Sequence, residues 1–314
     1  MVNNKENNFV SAVIYVHDSE DKLKNFLDVL YKVLSGNFNK FEIICVNDCS
    51  TDGSIREIRN FAAYVDNAMV SIVNMSIYQG IELSMNAGVD LSIGDFVFEF
   101  DNLSVDYEPS MIMEIYHHSL KGYDIVSAAP KVMAKMSSKL FYWLYNKYSK
   151  SMYKLRSETF RILSRRAINR VLSISKTIPY RKALYVNCGL KVDTLLYDTK
   201  KRPNVHFSKQ VEENRREVAT DTMILFTDIA YKFSLTLSTI LLLLTLASGI
   251  YTCAVFFGQH RPVPGWTTTM LLLSGGFFGI FLILSIIIKY LSVLVELIFK
   301  RQKYLVESIE KITK

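Results

Sequence analysis

Apolar positions along this chain fall into two regimes: short runs between polar turns in the first part, and two long uncharged stretches toward the end. The runs FVSAVIYV (Phe9–Val16), FEIICV (Phe41–Val46), MVSIVNM (Met69–Met75) and DFVFEF (Asp95–Phe100) are brief and rich in β-branched and aromatic residues, which predicts buried strands. Between them, Leu23, Phe26, Leu27, Leu30, Val33 and Leu34 recur at helical spacing up to Gly36. The polar turn NDCSTDGS can cap a helix opening near Ser54, and Tyr78–Ser92 is again helical in period. Strands alternating with helices predict an α/β fold with a mostly parallel sheet and helices on both faces.

The second regime has a different meaning. Phe233–Phe257 and Trp266–Ile288 carry no charged residue. At about 1.5 Å of rise per residue each is long enough to cross a hydrocarbon layer about 30 Å thick. The pattern therefore divides the chain into residues 1–210 as the α/β domain, 211–232 as an amphipathic juxtamembrane helix, 233–288 as two transmembrane helices, and 289–314 as a helical amphipathic tail. That tail is expected to lie on the membrane or to pair with a neighbouring subunit in a homo-oligomer.

Charge adds orientation. Lys200, Lys201, Arg202, Lys209, Arg215, Arg216 and Lys232 precede the first stretch, Lys289, Lys300, Arg301 and Lys303 follow the second, and the connector GQHRPVPG has only Arg261. The positive-inside rule puts both ends on the cytoplasmic side, in a plasma or inner membrane. The net charge of +7 then suits anionic headgroups rather than nucleic acid, for which no aromatic-interleaved basic stripe is present. The polar start MVNNKENNF offers no apolar signal segment. Cys45, Cys49, Cys188 and Cys253 form no Cys-x-x-Cys pair, so they read as free thiols and packing residues.

In parallel sheets of this kind ligands bind beyond the carboxyl ends of the strands. Three polar clusters fall there: His17 with Asp18, Asn47 with Asp48, and Asp101 with Asn102 and Asp106. Downstream, Arg181 and Lys182 in IPYRKALYVNCGLKVDTLLYD are candidates for binding phosphate, and the rest of that stretch reads as strands around Gly189. The basic, tyrosine-rich Leu144–Arg166 reads either as a solvated helix and loop or as a cradle for an acceptor phosphate.

FEIICVNDCSTDGS, SIYQGIELSMNAGVDLSIGDFVFEFDN, SKLFYWLYNKYS and TFRILSRRAINRV, in that order, resemble successive blocks of glycosyltransferase family 2. The ending PGWTTTMLLLSGG…YLSVLVELIFKRQKYLVESI resembles the tail of its polyprenyl-phosphate hexosyltransferase branch. The resemblance implies a GT-A nucleotide-sugar domain, a nucleotide-sugar donor that is most simply a UDP-sugar, a polyprenyl phosphate acceptor, and Mg2+ or Mn2+. It puts Tyr15, Asp18, Asn47 and Asp48 around the nucleoside, Asp101 and its neighbour Asn102 at the metal and diphosphate, and Arg161 near the phosphates. Three positions depart from the family pattern: Asn47, Leu103 and Thr159 stand where acids are usual. Leucine cannot coordinate a cation, so the resemblance implies a metal edge that rests on Asp101 alone. The expected activity is inverting hexosyl transfer to a polyprenyl phosphate. The alternatives are a degenerate membrane subunit that serves assembly or binds sugar nucleotides, and a transferase that extends an already glycosylated lipid.

Overall fold

The computed structural model describes residues 5–66, 68–131, 136–149, 151, 153–174, 180–199, 209–227, scattered positions from 229 to 247, 265–299 and 304–312. It contains two compact units, Met1–Thr222 together with Arg301–Lys314, and Met223–Lys300.

In the first unit the predicted alternation is present. β1 (Val10–Val16), α1 (Glu20–Asn37), β2 (Phe41–Asn47), α2 (Ser54–Tyr64), β3 (Met69–Met75), α3 (Gly80–Leu91) and β4 (Phe96–Phe100) follow one another. Next come α4 (Ser110–Ser119), β5 (Ile125–Pro130), α5 (Met136–Tyr148), β6 (Phe160–Ser164), α6 (Arg165–Ile174), α7 (Arg181–Asn187), β7 (Val192–Tyr197) and α8 (Lys209–Phe226), which belongs to this unit as far as Thr222. A last strand, β8 (Val306–Ile312), closes the list. The sheet order is β7-β5-β6-β4-β1-β2-β3-β8. The core β4-β1-β2-β3 is parallel, whereas β6 and β8 run antiparallel to their neighbours.

Strand alternation sorts the two faces. Val10, Ala12, Ile14, Ile43, Cys45, Phe98 and Phe100 point into one apolar core with Leu23, Phe26 and Leu30 of α1, Ile58 and Phe61 of α2, and Ile112 and Ile115 of α4. α3 covers the opposite face, where Gly88 lies directly against Val13 and Val46. A Cβ at Gly88 would come within 2.6 Å of the Val46 side chain and closer still to Val13. Both valines are buried and β-branched, so neither can swing aside. Gly88→Ala is therefore expected to destabilise the unit by about 1–2 kcal/mol, overpacking outweighing the gain in helix propensity. Denaturant midpoints of the two proteins check this, and an unchanged or raised midpoint would contradict it.

Two expectations need correcting. The tail does not remain helical to its end: Val306–Ile312 pairs antiparallel with β3, from Val70↔Ile312 to Met75↔Val306. Leu305 reinforces the join, its carbonyl accepting from Ser76 N at 3.1 Å and from Gln79 Nε2 at 2.7 Å, while its N–H donates to Gln79 Oε1 at 2.8 Å. Likewise, the residues before Gly189 form the short helix α7, and only Val192–Tyr197 beyond it is a strand.

Much of Phe233–Phe257, and the connector 258–264, lie outside the described residues. The second apolar stretch belongs to a helix, Trp266–Phe299, in which Gly279 sits against the Leu241 side chain. Among the described residues no helix is long and apolar enough to cross a membrane. Several side chains of Trp266–Phe299 fall outside that set; with them included, the 34-residue sequence has only Lys289 and Glu296 as charges.

Candidate active site

At the carboxyl ends of β1 and β2 the polar residues are knitted to one another. Asp48 is fully buried, and its carboxylate accepts from Tyr15 Oη at 2.9 Å, from Gln79 N at 2.9 Å and from Gly80 N at 2.8 Å. The last two N–H groups open α3, so Asp48 holds the positive end of that helix. Gly80 has φ +78°, a conformation that suits glycine, and this lets its N–H meet the carboxylate. Burial, followed by the Asp48 charge, pushes the Tyr15 phenol well above its ordinary range. Asp48 is thus tied to the start of α3, at the strand end where the resemblance put it beside a nucleoside.

Asn47 is explained in the same way. Its amide donates to Asn74 Oδ1 at 3.0 Å and its carbonyl oxygen accepts from Ser50 N at 3.1 Å. Asn74 in turn donates to Ser308 Oγ and Glu310 Oε1, both at 3.1 Å, and Arg59 closes on the Glu310 carboxylate at 2.9 Å. An amide, which both donates and accepts, suits this ladder across β2, β3 and β8; a carboxylate there would face another acceptor in the Asn74 carbonyl. Asp18, with φ 41°, accepts from Thr51 N at 2.7 Å and ties the β1 turn to the loop before α2. It remains half exposed toward solvent. Asn102 is exposed, its side chain folded onto Ser104 N at 3.0 Å in a local turn.

Beyond β4 the arrangement is ionic. Glu99 and Arg161 are cross-strand partners on β4 and β6, on the face away from the aromatic core. Arg161 donates from Nη1 to Glu99 Oε2 at 2.5 Å, from Nε to Glu158 Oε2 at 3.1 Å, and from Nη2 to Asp101 Oδ2 at 2.5 Å. Arg181, at the start of α7, donates from Nε to Glu82 Oε2 at 3.1 Å and from Nη2 to Asp101 Oδ1 at 2.9 Å, and its Nη1 lies 3.0 Å from Glu99 Oε1. One turn along α7, Tyr185 donates to that same Glu99 oxygen at 2.7 Å. Lys182 Nζ sits 3.1 Å from Asp101 Oδ2 and donates to the Glu158 carbonyl at 3.2 Å.

Three cations thus converge on one carboxylate. Burial by itself would raise the Asp101 value, but Arg161, Lys182 and Arg181 outweigh it and hold the group far below the usual carboxylate range. Both arginines stay charged for the converse reason: burial opposes the charge and the surrounding acids, Asp101 foremost for Arg161 and Glu99 foremost for Arg181, overcome it.

Thr159, where an acid was expected, is buried, and its hydroxyl lies 2.6 Å from Tyr197 Oη. Tyr197 donates its one proton to Asp106 Oδ1 at 3.0 Å, which makes Thr159 the donor to Tyr197. Burial holds the Asp106 carboxyl above its ordinary range.

The model for glycosyl transferase family 2 matches residues 11–185, which spans β1 through the ion cluster to Tyr185. The chain belongs to glycosyltransferase family 2. This transferase is 27% identical to an uncharacterized glycosyltransferase of Synechocystis sp., over 96% of its own length and 95% of the relative's. An undecaprenyl-phosphate 4-deoxy-4-formamido-L-arabinose transferase of Aeromonas hydrophila is 29% identical over 40% of this chain and 38% of that one. Among solved structures, a mannosyltransferase of Pyrobaculum calidifontis in complex with GDP-Man and Mn2+ aligns over 95% of this chain and 89% of the other, at 12% identity and a TM-score of 0.49.

The donors around Asp101 bear on the divalent ion that the family resemblance implied. Each Asp101 oxygen already accepts from an arginine, and Oδ2 has Lys182 beside it. Leu103 is 7% exposed and belongs to the apolar core, so it is a packing residue rather than a vacant ligand position. Among the described residues no three His, Cys, Asp or Glu side chains are grouped to hold a metal. As placed, these residues do not fit Mg2+ or Mn2+ at Asp101: an incoming ion would have to displace a cation from each oxygen it took.

The cluster also contains residues that sequence reasoning passed over. Glu99 gave a signal in DFVFEF, a lone acid inside an otherwise apolar strand, where burial demands a cationic partner. Glu82 and Tyr185 gave none, because each matters only once α3 and α7 lie over the same strand ends.

Proposed function

We propose that this transferase moves a hexose from a UDP-sugar to a polyprenyl phosphate at the cytoplasmic face of a membrane, as a step in cell-surface glycan synthesis. The observation that carries the reading is the convergence of Arg161, Arg181 and Lys182 at the carboxyl rim of a parallel sheet. Such a rim is where a donor's diphosphate would lie. The acceptor phosphate is already an anion, so one of its oxygens attacks the anomeric carbon directly and no base is needed. The bond from that carbon to the diphosphate oxygen breaks, its electron pair leaves with the nucleoside diphosphate, and the configuration inverts.

This accounts for Thr159. A hydroxyl in place of an acid removes a base that an anionic nucleophile does not require. The apolar sequence of Trp266–Phe299 and the undecaprenyl-phosphate relative support a lipid acceptor. Under this reading, Phe233–Phe257 and Trp266–Ile288 cross the membrane, with the α/β unit on the cytoplasmic side.

Membranes containing the full chain, given radiolabelled nucleotide sugars and polyprenyl phosphate, are expected to form a chloroform-extractable sugar phospholipid, most with a UDP-sugar. Absence of any lipid-linked product across a panel of UDP-, GDP- and dTDP-sugars would overturn the proposal.

A further inference from the structure

We infer that the donor diphosphate is held here by the ammonium of Lys182, which the buried Arg161–Asp101–Arg181 cluster positions, not by a divalent ion on Asp101. The inference rests on the transferase reading above and deepens it.

Mg2+ takes a near-octahedral set of oxygen ligands at about 2.0–2.1 Å, and a protein usually supplies one or two carboxylates to it. At Asp101 both oxygens are turned toward guanidinium groups. The next acids do not replace it. Glu99 is shared between Arg161 and Arg181, Glu82 is bound to Arg181, and Glu158 to Arg161. An ion binding any of these acids would have to compete with a guanidinium or ammonium group already bonded to it. Leu103, packed in the core, contributes no ligand from the other side.

The same arrangement supplies what a metal would otherwise provide. Asp101 serves as the post to which three cations are tethered. The two arginines are wholly buried and balanced by Glu82, Glu99, Glu158 and Asp101, so they fix the position of Asp101 and, through it, of Lys182. Lys182 differs from them. Its side chain keeps 12% of its exposure, and among the described residues its ammonium has two oxygens in reach, Asp101 Oδ2 and the Glu158 carbonyl, leaving a third proton for a ligand. A lysine binds phosphate as a compact, mobile point charge. When the bond to the anomeric carbon breaks, negative charge grows on the departing phosphate oxygen, and an ammonium beside it offsets that charge without coordination.

Calorimetry on the purified full chain in detergent, with UDP as the probe, decides this. The protein is stripped with EDTA and titrated, then titrated again with Mg2+ or Mn2+ present. UDP is expected to bind in EDTA, with an affinity that either metal changes by less than about threefold. Lys182→Gln is expected to weaken UDP by about tenfold or more, the effect of losing one charge-assisted hydrogen bond, while Lys182→Arg retains most of the affinity. Binding that appears only with metal would overturn the inference and leave the transferase reading standing. UDP affinity untouched by Lys182→Gln would show that the cluster merely braces the fold, again overturning it. Failure of UDP, GDP and dTDP to bind under either condition would remove the donor reading itself, and this inference with it. Should Lys182→Gln unfold, the metal titration of the unaltered protein and the Lys182→Arg variant still decide.

Discussion

Asp101→Ala is expected to abolish sugar transfer and to lower the stability of the α/β unit by about 3 kcal/mol, near the low end for a broken buried ion pair. The low end is appropriate because neither arginine is left bare: Arg161 keeps Glu99 and Glu158, and Arg181 keeps Glu82 and Glu99. What is lost is the contact of each Nη2 and, among the described residues, the only carboxylate beside Lys182. The effect on activity should exceed the effect on stability, since the tethered cations would no longer point at one place. Asp101→Asn preserves shape and removes charge, so it isolates the electrostatic part. The sign with pH follows from the depressed Asp101 value. A carboxylate held below its unfolded value stabilises the fold fully above about pH 4, the ordinary aspartate value, and loses that contribution as pH falls toward the folded one. The stability gap between the unaltered protein and Asp101→Asn is therefore expected to be constant at neutral pH and to close under acid. Denaturant titrations from pH 7 down to pH 3 would show this, and a gap that widened under acid would contradict the assignment of charge.

Ending the chain before Tyr304 is expected to be as damaging, although the removed segment lies far along the sequence from the ion cluster. Without β8 the outer edge of β3 is left open, and an open edge strand with apolar neighbours invites pairing between molecules. Asn74 loses Ser308 and Glu310, Gln79 loses both partners on Leu305, and Asp90 loses the Tyr304 hydroxyl. With each hydrogen bond worth about 1 kcal/mol net, the loss is about 5 kcal/mol before the ladder itself is counted. That is comparable to the whole stability of a marginal domain. The damage also reaches the site, because Gln79 N is one of the donors that hold Asp48 at the start of α3. The truncated chain is therefore expected to aggregate during purification and to bind no nucleotide. Glu310→Ala provides the contrast: the Arg59–Glu310 pair is partly solvent-exposed and adds little, and the bond from Asn74 is worth about 1 kcal/mol, so the substitution is expected to cost about 1–2 kcal/mol. A truncated protein that remained soluble, with an unchanged melting midpoint, would show that β8 is an accessory rather than a part of the sheet.

The strands and helices from β1 to β4 were legible within one or two residues, for a local reason. Each run is bounded by turn residues, and its burial pattern repeats with a period that belongs to the element itself. β8 was not legible, and the cause is specific. In VESIEKI the apolar residues Val306, Ile309 and Ile312 fall three apart, which mimics a helix, and on an edge strand no full apolar alternation is imposed. Ile309 stays half exposed, while the more buried Glu310 turns toward Arg59 and Asn74. Nothing near Val306 in the chain announces that its partner is β3.

The candidate site shows the same division. Asp101, Arg161, Arg181 and Lys182 could all be picked out from residue type, position at a strand end and resemblance to a family. Whether each would face a ligand or one another could not. Asp101 meets Arg161 across 60 positions of sequence and Arg181 across 80, and those meetings exist only because β6 and α7 are brought beside β4. By itself, then, the sequence determined the alternating α/β organisation, the apolar stretches beyond it and the chemical inventory of the rim, since hydrophobic period and residue type are local properties. Only the tertiary structure decided that Asp48 caps a helix, that Leu103 is core, and that Asp101 is surrounded by cations, because buried charge is governed by which distant partners burial forces together.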